Sequence, residues 1–388
     1  MTERAFPNDY IIDADAHVNP APEFWVEYLP SHLAELAPRI EEGGPDEDCD
    51  YIVFEGKRKK ILMLGHRGGR RGKDFKMHAK RSDMRAGTWD PALRLEDMDK
   101  DGVDAQIQFG GGPLATANQE LFIASFHAYN RWLADFCSYS PKKLYGVGYV
   151  PMADVDQSIA MVKDFAKRGL KAVNIPAYPL AKDFAGASAD GAQMLALTGD
   201  PNGERCYADE EFDPFWKTVL DLDMPVTIHL GARAPRFMEP IHFLPDMLMS
   251  KLAMAEPIAI LIFRGLFQRF PDLKFVSVES GVGWFAFAAD YMDRCWQGQG
   301  GWTKSPLKSP PSDFMEQNIY GSFIHDSVGI QTRNLKGAKN IMWSSDYPHS
   351  ESLFPESQAL IKEIFAGVPD EDRKEILGGR ARKLFHLD

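Results

Sequence analysis

The sequence predicts an α/β protein that folds as one (β/α)8 barrel, with insertions after strands 1, 4 and 5. Three features of the chain lead to this prediction. Eight apolar runs of strand length alternate with segments of helical periodicity, which is the order of elements in a parallel barrel. The length of 388 residues suits one such barrel with insertions. A hydrophobic content of 44% is enough to fill a large core.

The strands are predicted from short apolar runs rich in β-branched and aromatic residues, most of which give way to Gly, Ser or Pro. The first run differs from the rest because acids and a histidine alternate with its apolar residues. In chain order the predicted strands are Tyr10–Val18, Ala105–Phe109, Leu144–Val150, Ala172–Ile175, Val226–His229, Lys274–Val278, Ile319–Ser322 and Ile341–Ser344.

The helices are predicted from apolar residues that recur at helical spacing between the strands. Each falls after a strand, so each can return the chain to the start of the next parallel strand. The predicted helices are Ala115–Ser140, Val155–Arg168, Asp213–Leu222, Glu256–Arg269, Gly283–Trp296, Val328–Leu335, Pro355–Phe365 and Glu371–Phe385.

Three stretches exceed the minimal barrel: residues 40–95, 176–210 and 231–256. The first contains a predicted hairpin, Tyr51–Phe54 with Lys60–Leu64, and a basic segment rich in glycine. Loops after barrel strands surround the site of a barrel enzyme. We therefore expect one domain, residues 1–388, with residues 40–95 as an inserted cap or lid.

Composition excludes several classes of partner. A formal net charge of −12 argues against nucleic acid or an anionic membrane. The longest dense apolar run, Ile258 to Phe263, is too short to span a bilayer, and the N-terminus lacks the pattern of a secretory signal. Four cysteines without a Cys-x-x-Cys pair are typical of reduced thiols. The expectation is a cytoplasmic protein that acts on a small molecule.

The first predicted strand points to a metal site. Because side chains alternate faces along a strand, Asp13, Asp15 and His17 fall on one face and the apolar residues on the other. Buried charge needs a compensating partner, and a divalent metal is the simplest one. The alternative is a solvated edge strand with alternating polar residues.

Other strand ends reinforce the metal hypothesis. The fifth strand ends at His229, and Glu279 and Asp346 follow the sixth and eighth strands. In a barrel the C-terminal strand ends meet at one mouth, so these side chains would join His17 there although they span the sequence.

These motifs resemble the amidohydrolase superfamily, in the branch that includes aminocarboxymuconate-semialdehyde decarboxylase. The resemblance implies metal ligands at Asp15, His17, His229 and Asp346, with Asp346 also serving as acid or base. It also implies a homodimer. The matching segments are residues 13–17, 228–231, 279–283, 343–349 and 376–385.

The number of metal ions stays open at this point. Asp15, Glu279 and Asp346 bring three negative charges, which favours two divalent ions with a bridging hydroxide, and Glu279 would then be a ligand too. The competing account has one ion, with Glu279 protonated or paired to an arginine. A set of histidine and carboxylate ligands suits Zn, Mn or Fe.

Two reactions fit such a site. The main prediction is a hydrolase, in which metal-bound hydroxide attacks an ester, thioester, amide or lactone carbonyl, with Asp346 and Glu279 as catalytic groups. The alternative is decarboxylation of an aromatic or semialdehyde carboxylate. Relatives that decarboxylate usually carry an arginine about eleven residues after the sixth-strand ligand, where this chain has Asp290. Arg233, Arg236, Arg81 or Arg85 would have to replace it.

Several side chains near the predicted mouth are candidates for contact with substrate. His349 lies three residues after Asp346 and would orient it or touch the substrate. Trp284 and His325 lie near the ends of strands six and seven, and Arg233 and Arg236 follow strand five. A third class, a metal-stabilised barrel used only for binding, would leave the acid or base role of Asp346 without a purpose.

Overall fold

A computed structural model describes residues 3–21, 23–64, 66, 75–182, 199–233 and 240–387. Its strands are β1 Ile12–Val18, β2 Arg39–Glu41, β3 Tyr51–Phe54, β4 Lys57–Lys60, β5 Ala105–Gly110, β6 Leu144–Tyr149, β7 Ala172–Asn174, β8 Val226–His229, β9 Phe275–Val278, β10 Ile319–Phe323 and β11 Ile341–Trp343. Eight of them form one sheet in the order β1-β5-β6-β7-β8-β9-β10-β11, and every neighbouring pair is parallel. The predicted (β/α)8 barrel is confirmed.

The barrel closes where β1 approaches β11, through a few hydrogen bonds in place of a continuous ladder. The amide of Asp346 donates to the carbonyl of Asp15 at 2.9 Å. The carboxylate of Asp13 accepts from the amide of Ser345 at 2.8 Å and also from its hydroxyl. Asp13, which the alternation of β1 places with Asp15, therefore serves this closure, which we call the seam.

The barrel interior is filled from below. Buried side chains of β5, β6 and β9, among them Ile107, Val147 and Val276, belong to one apolar cluster with Leu384 and Phe385 near the C-terminus. A larger cluster lies between the strands and the surrounding helices. Apolar side chains therefore fill the end of the barrel that lies away from the C-terminal strand ends. The polar residues at the C-terminal strand ends are left to form a site at the opposite mouth.

The helices form the outer layer. They are α1 Phe24–Tyr28, α2 Pro91–Asp101, α3 Gln119–Ser138, α4 Val155–Lys167, α5 Asp213–Asp221, α6 Pro240–Leu252, α7 Ala255–Phe263, α8 Leu266–Arg269, α9 Trp284–Gln299, α10 Pro311–Asn318, α11 Ser327–Thr332, α12 Ser357–Ile364, α13 Asp370–Lys374 and α14 Arg380–Leu384. A π-helical turn, Glu375–Gly379, joins the last two. No helix among the described residues has the length and apolar character needed to cross a membrane.

Some helices differ from their predicted bounds. The segment Glu256–Arg269 is divided into α7 and α8 by Gly265, whose φ of 78° is left-handed. Helix α3 begins only after Asn118, whose side chain accepts the amide of Leu121 and caps the helix. The sequence analysis missed α1, α2, α6 and α10, and α6 lies where an insertion after strand five is predicted.

A small antiparallel sheet, β2-β3-β4, lies within the segment inserted after β1. Its predicted hairpin exists, but the second strand begins at Lys57, not Lys60. Glu55 and Gly56 have φ of 48° and 72°, so they make a two-residue turn that brings the chain back at once. The amide of Ser350 in the loop after β11 donates to the carbonyl of Leu64 at 2.8 Å, which joins this segment to the barrel mouth.

Candidate metal centre

Acidic and histidine side chains meet at the C-terminal mouth of the barrel. Asp15 and His17 come from β1, His229 is the last residue of β8, Glu279 directly follows β9, and Asp346 lies three residues beyond β11. Asp15, His17 and Asp346 are almost fully buried. The structure therefore brings together residues from both ends and the middle of the sequence, as the barrel prediction requires.

The distances suit shared coordination. The Nε2 atom of His17 lies 3.2 Å from Asp15 Oδ1 and 3.0 Å from Asp346 Oδ1, and His229 Nε2 lies 3.3 Å from the same oxygen of Asp15. Ligands of a first-row metal stand about 2.0–2.2 Å from the ion, so neighbouring ligand atoms are separated by roughly 3 Å. These spacings are those of donors that converge on one ion.

A second group of possible donors overlaps the first. It consists of His17, Glu279, Asp346 and His349, whose candidate ligand atoms all lie within 4.8 Å of one another. His349 Nδ1 is 2.9 Å from Asp346 Oδ1, and its ring stacks on that of His17 with centroids 3.7 Å apart. His349 therefore contacts the predicted acid or base, as the sequence analysis anticipates.

Several buried donor atoms of the cluster make no hydrogen bond to any of the residues that the structure describes. They are Asp15 Oδ2, His17 Nε2 and both carboxylate oxygens of Asp346. A buried polar atom without a partner costs about 1–3 kcal/mol, more when it is charged. A divalent cation would satisfy these atoms, so the donor set fits the predicted metal.

The acids of the cluster and the histidines beside them affect the pKa values of Asp346 and His17. Burial alone would raise the pKa of Asp346, but His349 and His17 hold that pKa well below its ordinary range. Burial opposes the charge on His17, yet Asp15 and Asp346 raise its pKa to about 10. Without a metal, a proton on His17 thus balances part of the carboxylate charge, and a bound cation would replace this proton.

Backbone geometry aims two of the acids into the mouth. Glu279 and Asp346 have φ of 56° and 55°, in the left-handed region that non-glycine residues seldom adopt. Such conformations typically cost about 1–3 kcal/mol and persist where the surrounding structure enforces them. At both positions the chain turns sharply just after a strand, which directs the carboxylate towards the cluster.

A lysine that the sequence analysis missed completes the site. Lys251, on α6, places its Nζ 3.2 Å from Glu279 Oε1 and 2.6 Å from Glu351 Oε2. Burial would lower the pKa of Lys251, but Glu279 and Glu351 raise it above its ordinary value. No motif in the sequence marks this lysine, because its helix lies within a segment interpreted as an insertion.

The predicted substrate contacts are less closely tied to the cluster. Arg233 pairs with Asp246 at 3.2 Å, and the indole of Trp284 donates to the carbonyl of Ser280 at 3.3 Å. His325 is exposed. Within the described part of the chain, no hydrogen bond or ion pair links these three side chains to the cluster, and Arg236 lies outside the described residues.

The other two candidate arginines are engaged elsewhere. Arg81 pairs with Glu23 at 2.6 Å, and Arg85 pairs with Asp97 at 2.5 Å. Neither is free to take over the role of the arginine that decarboxylating relatives carry at the position of Asp290. Within the described ranges, the ion pair between a lysine or arginine and an acid of the cluster is that of Lys251 with Glu279.

The fold and the site together define a barrel enzyme of the class that gathers acids and histidines at the C-terminal strand ends. The sequence model of the amidohydrolase family matches residues 12–387. This chain belongs to the amidohydrolase family, which confirms the resemblance seen in its motifs.

Curated relatives and solved structures agree with this assignment. The chain is 23% identical over 314 residues to 2-amino-3-carboxymuconate-6-semialdehyde decarboxylase of Dictyostelium discoideum, covering 79% of each protein. It is 24% identical over 316 residues to gamma-resorcylate decarboxylase of a Rhizobium species, covering 76% of this chain and 86% of that protein.

Two crystal structures share the fold. An amidohydrolase from Mycobacterium avium subsp. paratuberculosis superposes with a TM-score of 0.74 at 18% identity, covering 98% of this chain and all of that one (100%). A dihydroxybenzoic acid decarboxylase from Polaromonas, with bound manganese and 2-nitroresorcinol, gives a TM-score of 0.62 at 18% identity, covering 98% of this chain and 97% of that one.

These comparisons correct the predicted reaction. The main prediction of a hydrolase is wrong, because the curated relatives reported above are decarboxylases. Asp290, at the position where relatives that decarboxylate usually carry an arginine, is one of the departures that counted against decarboxylation. A departure from the usual residue at one position is a weaker fact than a likeness along about three quarters of the chain.

Proposed function

We propose that this protein is a metal-dependent decarboxylase that releases carbon dioxide from a small aromatic or similarly conjugated carboxylate. The observation that carries the proposal is the buried cluster of Asp15, His17, His229 and Asp346 at the barrel mouth, in a chain whose curated relatives are decarboxylases. A conjugated substrate is required because the electron pair left by the departing carboxylate must be delocalised.

We propose that the same four residues hold one divalent ion. When bound, that ion would supply Lewis-acid chemistry, binding and polarising oxygen atoms of the substrate. Carboxylate and imidazole ligands without thiolate suit Mn, Zn or Fe, and manganese is the reasonable first choice for experiment.

Asp346 and His349 are the proposed route for the proton. Decarboxylation breaks the bond between the substrate carbon and its carboxylate, leaves the electron pair on carbon, and needs one proton to form the new C–H bond. His349 is 25% exposed, whereas Asp346 is fully buried, and the two side chains lie 2.9 Å apart. A proton from solvent can therefore reach the buried Asp346 through His349, and Asp346 can pass it to the substrate carbon.

The surroundings of the site suit a small anionic substrate. Arg233 follows β8 and is half-buried, so it is the proposed contact for a second polar group of the substrate, with Trp284 and His325 as more distant wall residues. The four cysteines form no disulfide among themselves. Free thiols are usual in a reducing compartment, so we propose that the protein acts in the cytoplasm.

The test is turnover with a defined metal. Protein stripped of metal and then reloaded with Mn²⁺ is offered a panel of hydroxybenzoates and conjugated semialdehyde carboxylates, while release of carbon dioxide and loss of substrate are followed together. We expect equal amounts of carbon dioxide and decarboxylated product for at least one member, and none from the stripped protein. Complete inactivity across the panel with a fully loaded site would contradict the proposal.

A further inference from the structure

Glu279 faces two different positively charged or chargeable groups with its two oxygens. Its Oε2 lies 3.7 Å from His229 Nδ1, and its Oε1 lies 3.2 Å from Lys251 Nζ. One carboxylate thus bridges the donor cluster and an ammonium group. A carboxylate that bridges two metal ions contacts one ion with each oxygen. Glu279 has the same arrangement here, with the ammonium of Lys251 in the position of the second ion.

The ammonium of Lys251 is held as a cation in a site made of oxygens. Glu351 Oε2 approaches Nζ at 2.6 Å, on top of the contact from Glu279. The side chain of Lys251 is 20% exposed, that of Glu279 8% and that of Glu351 29%. Two carboxylates in a partly dry setting, completed by water, are the ligands that Mg²⁺ or Mn²⁺ accepts.

Charge balance points in the same direction. Asp15, Glu279 and Asp346 contribute three negative charges, and histidines that ligate a metal are neutral. One divalent ion together with the Lys251 ammonium supplies three positive charges, so the buried part of the site is neutral without a second ion. Glu351 is not counted in this buried set, because 29% of its side chain is exposed. A charge count that uses only the residues of the sequence motifs leaves out Lys251, and it therefore favours two ions.

We propose that the ammonium of Lys251 occupies the place of a second divalent cation, so that this barrel holds one ion, and that its removal turns Glu279 and Glu351 into a second metal site. The inference rests on the metal site of the proposed function, but not on the substrate or the reaction. Lys251 is thus a positioning residue that acts through Glu279.

The experiment counts ions. Metal-free wild-type protein, Lys251→Ala, Lys251→Arg and the exposed control Lys217→Ala are titrated with Mn²⁺ by calorimetry, and bound manganese is measured after desalting. We expect about one ion per chain in wild type, Lys251→Arg and Lys217→Ala, and about two in Lys251→Ala. Two ions at a bridged site stand about 3.5–4 Å apart, so the manganese spin-resonance spectrum of Lys251→Ala should show coupling between them.

Further variants exclude trivial explanations. Glu351→Gln in the Lys251→Ala background should return the count to about one, because the second site loses a charged ligand. If Lys251→Ala fails to fold by circular dichroism, Lys251→Gln keeps most of the side-chain volume and serves the same purpose.

The outcomes separate this inference from the proposed reaction. Two ions in wild-type protein, or one ion in both wild type and a folded Lys251→Ala, would overturn it. No ion in wild type would overturn the metal site and this inference with it. A protein that decarboxylates nothing, yet gains a second ion on loss of Lys251, would support the inference while refuting the proposed reaction.

Discussion

Asp346 combines complete burial with two imidazole neighbours, and this combination makes it the residue on which turnover should depend most. Replacement by Asn preserves its shape but removes the charge and the capacity to carry a proton. For Asp346→Asn we expect a fall in kcat of about 10²–10⁴-fold, with a circular dichroism spectrum like that of wild type. The exposed Asp290→Asn on α9 is the matched control and should keep full activity. Undiminished turnover in Asp346→Asn would remove Asp346 from the chemistry.

His349 offers a separate test of the proton route. It is the partly exposed partner of Asp346, so its loss should slow delivery of the proton without removing a proposed metal ligand. We expect His349→Gln to lower kcat by about 10²-fold and to change the pH profile of kcat, while KM changes little. His32→Gln, at an exposed histidine that pairs with Glu120, is the control and should behave as wild type. A uniform rise in KM at constant kcat would instead indicate that His349 only binds substrate.

At the residue scale, the candidate metal ligands can be predicted from the sequence, but the side chains that contact them cannot. His229, Glu279 and Asp346 are predictable because each stands where an apolar strand ends, and Asp15 and His17 are predictable because they alternate with apolar residues along β1. The contact of Lys251 with Glu279 is not predictable, since it depends on how a helix folds back over the mouth. Asp13 has the same spacing as the ligands, yet its carboxylate serves the seam, and only the position of Ser345 reveals this.

Strand β6 and helix α4 meet at a glycine, and this contact allows an element-scale prediction. A Cβ atom at Gly148 would lie within 2.6–2.7 Å of three ring atoms of the buried Phe165. We expect Gly148→Ala to lower the free energy of unfolding by about 1–3 kcal/mol, because a rigid ring in a packed core cannot move aside. On α9, Gly298→Ala meets nothing within 4 Å and should be neutral or stabilising by up to about 1 kcal/mol. Urea titrations of both variants would decide.

The end of α2 is joined to the start of α12 by a buried acid whose charge is unfavourable. Burial raises the pKa of Asp101 from 3.8 to about 6, although the amide and hydroxyl of Ser357 donate to its carboxylate at 3.1 and 2.6 Å. Because the folded state holds this proton more tightly than the unfolded state, the stability it contributes is present below about pH 4 and is lost as the pH rises to about 6.

The corresponding prediction compares wild type with Asp101→Asn. The shift corresponds to about 3 kcal/mol, so the difference in free energy of unfolding between the two proteins should change by roughly that amount between about pH 3 and about pH 7. It should be constant above pH 7. Denaturant titrations across this range provide the measurement, and a difference independent of pH would show that Asp101 keeps an ordinary pKa.

At the element scale the barrel strands were predictable because each is a short apolar run with a defined end. Helix α6 was not, since Pro245 inside it interrupts the helical pattern and its apolar residues do not face a core. The turn at Glu55 and Gly56 moved β4 by a few residues, as backbone conformation and not side-chain pattern sets the register of a hairpin.

The whole molecule exposes an apolar stripe on α6, and this stripe bears on the homodimer that the family resemblance predicts. Ile241, Leu244, Leu248 and Leu252 recur at helical spacing and are between 42% and 79% exposed. If two copies associate through this face, Leu244→Glu with Leu248→Glu should shift the molecular mass in light scattering from dimer towards monomer. Leu222→Glu, at an isolated apolar residue that is 37% exposed, is the control and should leave the mass unchanged. A wild-type mass of one chain would show that the homodimer prediction is wrong.

The seam between β1 and β11 also determines when the protein can acquire its metal. Asp15 and His17 leave the ribosome before Asp346, which follows only after all the barrel strands have been synthesised. A nascent chain that has not yet reached Asp346 therefore has no complete binding pocket, and the ion would be captured only after β11 has been synthesised. Once bound, the ion would link β1 to the end of β11, because Asp15 and His17 lie on the first strand and Asp346 follows the last. In a cell with too little of the metal, we would then expect complete barrels to accumulate that open first at the seam.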